Sequence, residues 1–316
     1  MKKFKVFIDG EAGTTGLRIY ERLSKRSDIE LLKINPDLRK DLNERKKLIN
    51  ESDVTFLCLP DDAAIESANL LDNKHTKIID ASTAHRTLDS WAYGFPELDI
   101  KLEEKIKNNQ LIAVPGCYAS GFMSIVYPLV KGNICSKSYP FSANAISGYS
   151  GAGKKGISQY EDTNRLKEFD APRLYAMNQM HKHLKEMKAI PGLDEEPLFN
   201  PYVCDFYNGM LVTIPLYVDK LNKKISVEEI HKFFSDYYSN KEFVRVMPLF
   251  EKGTEDGFLS ANHLENKDYL EIYISGNENR ISITACLDNL GKGASGAAIE
   301  CMNLALGLDP KLGLNM

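Results

Sequence analysis

The sequence predicts an α/β protein, with a doubly wound parallel sheet followed by a second domain of mixed-sheet α+β character. Three observations predict it. Apolar runs of strand length, FKVFID (4–9), IELLKI (29–34), DVTFLCLP (53–60), KIIDAST (77–83) and LIAVP (111–115), alternate with helical patterns, as strands buried on both faces of a parallel sheet do. The first run passes directly into a glycine turn and then a helix. Beyond residue 117 the strand-like runs crowd together: LVTIPLYV (211–218), EFVRVMPLF (242–250), YLEIYIS (269–275) and RISITACL (280–287). One helix pattern interrupts them, 226–239, opening on Ser226 and Glu229 at capping-box spacing. The C-terminal stretch NLGKGASGAAIECMNLALGL (289–308) is helical with a small-residue face. It is expected to return to the first domain, which gives boundaries of 1–116 plus 290–316 for one domain and 117–289 for the other.

Length and composition agree with this organisation. A chain of 316 residues is about two domains long. Hydrophobic content of 43%, charged content of 27% and a formal net charge of −4 exclude a disordered, collagen-like or nucleic-acid-coating chain. The start, MKKFKVFIDG, lacks the apolar core of a signal peptide, and no run reaches the eighteen apolar residues of a membrane span. Six cysteines (58, 117, 135, 204, 286, 301) are scattered without a C-x-x-C pair, which suits reduced thiols in the cytoplasm and gives no metal site. The densest charge run, DLRKDLNERKK (37–47), reads as a solvated helix face.

The glycine turn reads Gly10-Glu-Ala-Gly13-Thr14-Thr15-Gly16, followed by a helix with Leu17, Tyr20 and Leu23 on one face. Glycines there let the backbone turn tightly and approach a pyrophosphate, which the helix N-terminus then holds. The spacing is G-x-x-G-x-x-G, with Ala12 where the dinucleotide fingerprint has its second glycine; a plain turn is the alternative. Ligands on such a sheet bind outside the carboxyl ends of the strands. The glycine turn, Cys58-Leu59-Pro60, the segment from Ser82 to Arg86, and Cys117 all follow predicted strands. Pro60 and Ser82 are accordingly assigned to the cofactor. After the second strand Asp37 could take a ribose hydroxyl, whereas Arg39 and Lys40 could clasp a 2′-phosphate or simply open a solvated helix.

Cys117 lies in PGCYAS (115–120), between a strand pattern and the helical pattern YASGFMSIVYPLV (118–130). A thiol at a helix N-terminus meets unpaired N–H groups and a dipole that favour the thiolate. Its pKa, ordinarily about 8.5, can fall by one to several units there. A small buried apolar residue is the other reading.

The motifs DASTAHR (80–86), YGFPEL (93–98), PGCYAS (115–120), SGYSGAGK (147–154), HKHLKEM (181–187) and DNLGKGASGAA (288–298) together resemble the N-acetyl-gamma-glutamyl-phosphate reductase family, in its short second-type form. The resemblance spans essentially the whole chain. It departs at Lys185, where the family usually has proline near the His-x-His motif, and at Ala119-Ser120, where Pro-Thr is common. It implies a Rossmann-like domain and a second domain as in aspartate-semialdehyde and glyceraldehyde-phosphate dehydrogenases. It also implies NADPH-dependent reduction of a small acyl phosphate to N-acetyl-glutamate semialdehyde in arginine biosynthesis, by a homo-oligomer (dimer or tetramer).

The chemistry asks for these residue types. A thiolate, Cys117, displaces phosphate to leave a thioester, which accepts hydride from the nicotinamide and collapses to the aldehyde. An acid–base group is needed at the sulfur, and His181 and His183 are the candidates. The resemblance favours His183, with Glu186 orienting it or the substrate, and places Asn289 and Gly293 at the nicotinamide end. Arg86 is the candidate clamp for a phosphate or carboxylate, and Ser147 and Gly148, with the SGAGK loop, for wrapping the substrate through backbone N–H groups. Three other functions are open: a related thiol dehydrogenase with another substrate, a non-catalytic NADP-binding sensor with Cys117 as redox switch, and a cysteine hydrolase.

Overall fold

The computed structural model describes residues 3–249 and 257–316; Phe250, the end of one expected strand, lies outside them. Two compact units form, Met1–Gly116 with Ala294–Asn315, and Cys117–Gly293 with Met316.

The first unit alternates strand and helix: β1 (Phe4–Asp9), α1 (Thr14–Leu23), β2 (Ile29–Leu32), α2 (Leu42–Glu51), β3 (Val54–Leu57), α3 (Asp61–Ala68), β4 (Lys77–Asp80), β5 (Ala92–Tyr93), α4 (Ile100–Asn108) and β6 (Leu111–Ala113). The sheet has the order β2-β1-β3-β4-β6-β5 and every pairing is parallel. Both faces are covered, as the continuous apolar runs require. Val6 and Ile8 of β1 pack with Ile19 and Leu23 of α1, Ile106 of α4, and Ile299 of the C-terminal helix. Phe7, between them, joins Leu48 and Ile49 of α2 and Ala64 of α3 on the opposite face. Each such side chain, fully removed from water, contributes about 1.5–3 kcal/mol.

Two expectations are corrected here. Leu17 does not share the packed face of α1: it is 47% exposed, and Gly16, Ile19 and Leu23 are the buried positions. The i, i+3, i+7 set is fixed by Ile19 meeting the sheet, which turns Leu17 outward. Nor is the charge run 37–47 wholly solvated. Arg45 is buried, with Nε 3.0 Å from Asp9 Oδ2 and Nη1 2.8 Å from Glu66 Oε2, and Ser67 donates a second bond to Asp9. Asp9 ends β1, so this cluster anchors the strand immediately before the glycine turn. Removing one partner of such a buried pair typically costs about 3–5 kcal/mol.

The second unit contains α5 (Cys117–Lys131), β7 (Ser142–Gly148), α6 (Gly153–Glu161), β8 (Arg173–Leu174), α7 (Leu184–Ala189), β9 (Leu198–Cys204), β10 (Met210–Tyr217), α8 (Val227–Tyr237), β11 (Val244–Val246), β12 (Leu270–Gly276) and β13 (Arg280–Leu287). The sequence anticipated α8, and its capping box is present in full, Ser226 and Glu229 each serving the other's backbone. It did not anticipate α6 and α7, which are short. The sheet runs β11-β12-β13-β10-β7-β9-β8. It is mixed: β7 with β9 and β11 with β12 are parallel, and the other pairs antiparallel. Helices α5 and α8 pack against it.

Helix α5 is buried along most of its length and holds Pro128 in its interior. Proline has no N–H to give the carbonyl of Ser124, and the hydroxyl of Tyr238 takes that carbonyl instead, at 2.8 Å. The chain ends in α9 (Gly296–Ala305), preceded by one wide turn over Gly291–Ser295. Among the described residues no helix is long and apolar enough to cross a membrane.

Candidate active site

In the first unit every loop that leaves the carboxyl edge of the parallel sheet carries a residue singled out from sequence. Gly10 has φ +90°, and a Cβ there would stand 2.3 Å from the carbonyl oxygen of Cys58. No other residue permits this conformation and this approach. The contact closes the crevice between β1 and β3, where the strand order changes direction and doubly wound sheets bind nucleotides. Gly13 caps α1 without a side-chain bond, and the first turn, with Thr14, Thr15 and Gly16, contains no acidic residue. A helix N-terminus left open in this way suits a pyrophosphate. Pro60 caps α3.

Past β2 the chain makes a single turn, Pro36–Leu38, capped by Asn35. Asp37 and Arg39 are both exposed, and Arg39 Nε donates to the carbonyl of Pro36 at 2.9 Å. Asp41, not Asp37, caps the following helix.

The DASTAHR segment is more tightly built than its sequence suggests. Asp80, fully buried at the end of β4, receives bonds from the amide and hydroxyl of Ser82 (2.9 and 2.6 Å) and pairs with His85 Nδ1 at 2.6 Å. The His85 ring stacks on Trp91 with centroids 3.9 Å apart. Ser82 also accepts from the amide of Ala84, so its hydroxyl shapes this loop. Arg86 is buried, with Nε on the carbonyl of Val114 (2.8 Å) and Nη2 on that of Ala81 (3.1 Å). Its guanidinium is thereby fixed at the carboxyl ends of β4 and β6.

In the second unit the first residue of α5 is Cys117, half-buried. The return segment passes directly over it: a Cβ on Gly293 would lie 2.8 Å from the Cβ of Cys117, so a side chain there would collide with the cysteine. Asn289 is buried and pins two loops, its Oδ1 accepting from the amide of Gly209 and its Nδ2 donating to Ser150 Oγ, both at 2.8 Å. Ser147 and Gly148 end β7. The hydroxyl of Ser147 donates to the carbonyl of Gly148, and the amide of Gly148 to that of Gly209.

The histidines gather on Tyr118, the residue after the cysteine. Its ring lies 5.7 Å from that of His181 and 6.0 Å from that of His183. His183 is buried at the start of α7, and Glu186, buried, is one helical turn on. His181 Nδ1 accepts the amide N–H of His183 at 3.1 Å. His181 Nε2 lies 3.4 Å from the hydroxyl of Tyr175.

The other thiols are poor nucleophiles for identifiable reasons. Burial pushes Cys135 and Cys286 up to about 12 and raises Cys204. Cys58 is raised by burial and by the carboxylates of Asp80 and Asp9. Cys301 is buried, its Sγ 3.5 Å from the carbonyl of Gly94.

A family model for the semialdehyde dehydrogenase NAD-binding domain matches residues 5–108, and one for the semialdehyde dehydrogenase dimerisation domain matches 117–289. N-acetyl-gamma-glutamyl-phosphate reductase 2 of Nostoc sp. is 47% identical over 99% of this chain and 100% of its own length. The chain belongs to the N-acetyl-gamma-glutamyl-phosphate reductase family. The enzyme of that name from Sinorhizobium medicae is 42% identical over 96% of the chain and 99% of its own. Two solved structures share the fold with this family member. Aspartate semialdehyde dehydrogenase II from Vibrio cholerae has TM-score 0.70 and 13% identity, covering 97% of this chain and 99% of that one. The Candida albicans aspartate semialdehyde dehydrogenase solved with NADP has TM-score 0.66 and 15% identity, covering 96% and 98%.

The sequence reading passed over Asp9, Arg45, Asp80, His85, Trp91, Tyr118 and Tyr175. A signal was present for some: Asp80 and His85 lie inside DASTAHR, and Tyr118 touches Cys117 in sequence. The environments of the cysteines lead to a direct expectation. Brief iodoacetamide treatment of the native protein near pH 8, followed by peptide mass mapping, should modify Cys117 first and leave Cys135 and Cys286 unmodified; prior labelling of Cys58 or Cys135 would contradict it.

Proposed function

We propose that this chain uses NADPH to reduce N-acetyl-gamma-glutamyl phosphate to N-acetyl-glutamate 5-semialdehyde and phosphate, in the arginine-biosynthetic role of its relatives, in the cytoplasm. The observation that carries the reading is Cys117 at the N-terminus of a buried helix, with both histidine rings against the neighbouring Tyr118. Relatives of that name matching nearly end to end support the substrate.

The residues divide the work as follows. Gly10, Gly13, Thr14, Thr15 and Gly16 receive the pyrophosphate, with Pro60 and Ser82 lining the same sheet edge and Asn289 and Gly293 on the nicotinamide side. The turn suits such a group, because only glycine fits at Gly10 against the carbonyl of Cys58 and the first turn of α1 carries no competing acid. Arg39, exposed beyond β2, meets the 2′-phosphate and so favours NADPH. The bound cofactor supplies hydride. Cys117 attacks the acyl carbon, the carbon–oxygen bond to phosphate breaks, and phosphate leaves with the electron pair. His183 takes the thiol proton; once hydride has reached the thioester carbon, the oxyanion re-forms its C=O as the C–S bond breaks, and His183 returns its proton to the departing sulfur. Glu186 steadies the imidazolium. Arg86 holds an anionic group of the substrate, and Ser147 and Gly148 its backbone-facing side. The test is one assay. NADP⁺ should be reduced with N-acetyl-glutamate semialdehyde plus phosphate, and far more slowly with aspartate semialdehyde; the reverse order, or no turnover with either, would overturn the assignment.

The oligomer belongs to the same proposal. On β10, Met210, Val212, Ile214 and Leu216 are buried while the intervening residues face outward. Register carries that outward face across the sheet through Ile146, Leu211 and Tyr202. A face with Ile146, Leu198 and Tyr217 exposed by 38–55%, in the segment matched by the dimerisation model, fits a second copy of this chain. Light scattering should give at least twice the chain mass, and Thr213→Arg, which puts a charge at the centre of the face, should give a monomer. A monomeric wild type, or an unchanged assembly in the variant, would contradict it.

A further inference from the structure

The return segment that lies over Cys117 takes its shape from one side chain to which the mechanism assigns no part. Asp288 directly follows β13 and is fully buried. Its Oδ1 accepts the amides of Leu290 (2.7 Å) and Gly291 (2.9 Å), and its Oδ2 accepts the amide of Asn266 at 2.6 Å. Its own carbonyl takes the amide of Gly293 at 3.0 Å, a span of five residues that makes this turn wider than an α-helical one. Amides two and three residues ahead are the ordinary targets of an aspartate at a turn or helix start. The bond from Asn266 is different, because it joins separate segments. Asn266 has φ +62°, a left-handed conformation that asparagine adopts more readily than most residues, and its amide ties that turn to the return segment.

The wide turn is fitted closely to what surrounds it. A Cβ on Gly291 would collide with the carbonyl of Lys267, so the turn rests directly on the segment that Asn266 opens. Lys292, between the two glycines, is buried with Nζ 4.8 Å from the centre of the Phe243 ring, a cation–π contact that anchors the turn from inside the domain. A Cβ on Gly293 would stand 2.8 Å from the Cβ and 3.3 Å from the Cα of Cys117. The φ of Gly293 is not left-handed, so it is the close approach, and not the backbone conformation, that excludes a side chain there. Backbone packed this closely on Cβ closes the χ1 well that would aim Sγ at the return segment, one of the three staggered wells open to an unconfined cysteine. The sulfur keeps only directions that lead away from Gly293.

We propose that Asp288 is a positioning residue for the nucleophile: by shaping the wide turn it seats Gly293 on Cys117 and so fixes the direction of Sγ. Asp288 acts through the backbone of Gly293 and not by touching the sulfur or the substrate. The consequence rests on the reductase reading, in which an acyl phosphate meets a sulfur that is already aimed, whereas the seating itself is independent of the substrate. The size of the effect follows from geometry, since a misplacement of about 1 Å at a reacting atom can cost about 10²-fold in rate.

The test isolates acylation in the full-length protein, as the rate of phosphate release from N-acetyl-gamma-glutamyl phosphate within the first turnover and without nicotinamide. Asp288→Ala removes every side-chain bond of the cluster and should slow acylation about 10²-fold, with the half-saturating concentration of acyl phosphate unchanged. Asp288→Asn keeps an oxygen for Leu290 and Gly291 and loses the bond from Asn266, so it should slow acylation about 3- to 10-fold, the range of one hydrogen bond. Gly293→Ala, which drives a methyl group against Cys117, should resemble Asp288→Ala and gives the same comparison if that variant does not fold. Iodoacetamide needs no aimed sulfur, so Cys117 should be alkylated in each variant within about threefold of the wild-type rate. Weaker substrate binding with an unchanged acylation rate, or an equal fall in acylation and alkylation, would overturn the proposal. Spectra of protein labelled with ¹³Cβ-cysteine give a readout that needs no substrate. The Cys117 signal, identified by its absence in Cys117→Ser, should be single in the wild type and doubled or broadened in Asp288→Asn; the same signal in both would equally overturn it. A protein that fails the semialdehyde assay yet shows this difference would refute the substrate and leave the seating of Cys117 standing.

Discussion

The site depends on one constraint, that α5 cannot move. The helix is buried along most of its length, and even the defect that Pro128 introduces is repaired by a hydroxyl from α8's C-terminal cap, Tyr238. Its first residue is Cys117, so the sulfur inherits the rigidity of a core helix while the end that carries it stays half-open. Gly293 presses on the cysteine from the return segment, and Tyr118 presents an aromatic surface against which His181 and His183 are seated. A nucleophile on a surface loop would have none of this preorganisation.

Magnitudes decide which feature matters most for reactivity. A helix end contributes about 0.3–1 kcal/mol to a charge beside it, and up to about 2 in favourable geometries. A positioned general base is worth about 10²–10⁴-fold in rate, or about 3–5 kcal/mol. In the proposed mechanism the helix end would help to choose which cysteine is the thiolate, and the general base would decide how fast it works. Burial raises Cys58, Cys135, Cys204 and Cys286, and nearby carboxylates raise Cys58 and Cys286 further. In the first unit rigidity comes from buried polar clusters at strand ends, Asp9 with Arg45 and Asp80 with His85, which hold the loops of the carboxyl edge from behind.

Much of this was legible in the sequence because the signals are local. The parallel sheet follows from apolar runs alternating with helices, α8 from its capping box, and the helix-terminal cysteine from Pro115 and Gly116 before a helical period. What was not legible depends on residues far apart in the chain. Arg45 looked solvated among its charged neighbours until Asp9, thirty-six positions away, took it into the interior. Leu17 fits the apolar face of α1 by spacing, but Ile19 settles which stripe meets the sheet. Tyr175 lies in an unremarkable segment, RLYAMNQM, and only two left-handed residues and a glutamine acting as a strand bring it to His181. No propensity scale anticipates such a turn, because each of its residues prefers another conformation.

The central claim is that Cys117 carries the acyl group between loss of phosphate and hydride transfer. The most direct measurement mixes the enzyme with N-acetyl-gamma-glutamyl phosphate in the absence of nicotinamide, quenches in acid within the first turnover, and measures both phosphate release and the intact protein mass. The account predicts a burst of about one phosphate per chain, with the acyl mass on the peptide containing Cys117. A burst absent from the wild type, or an acyl group found on any other residue, would contradict it.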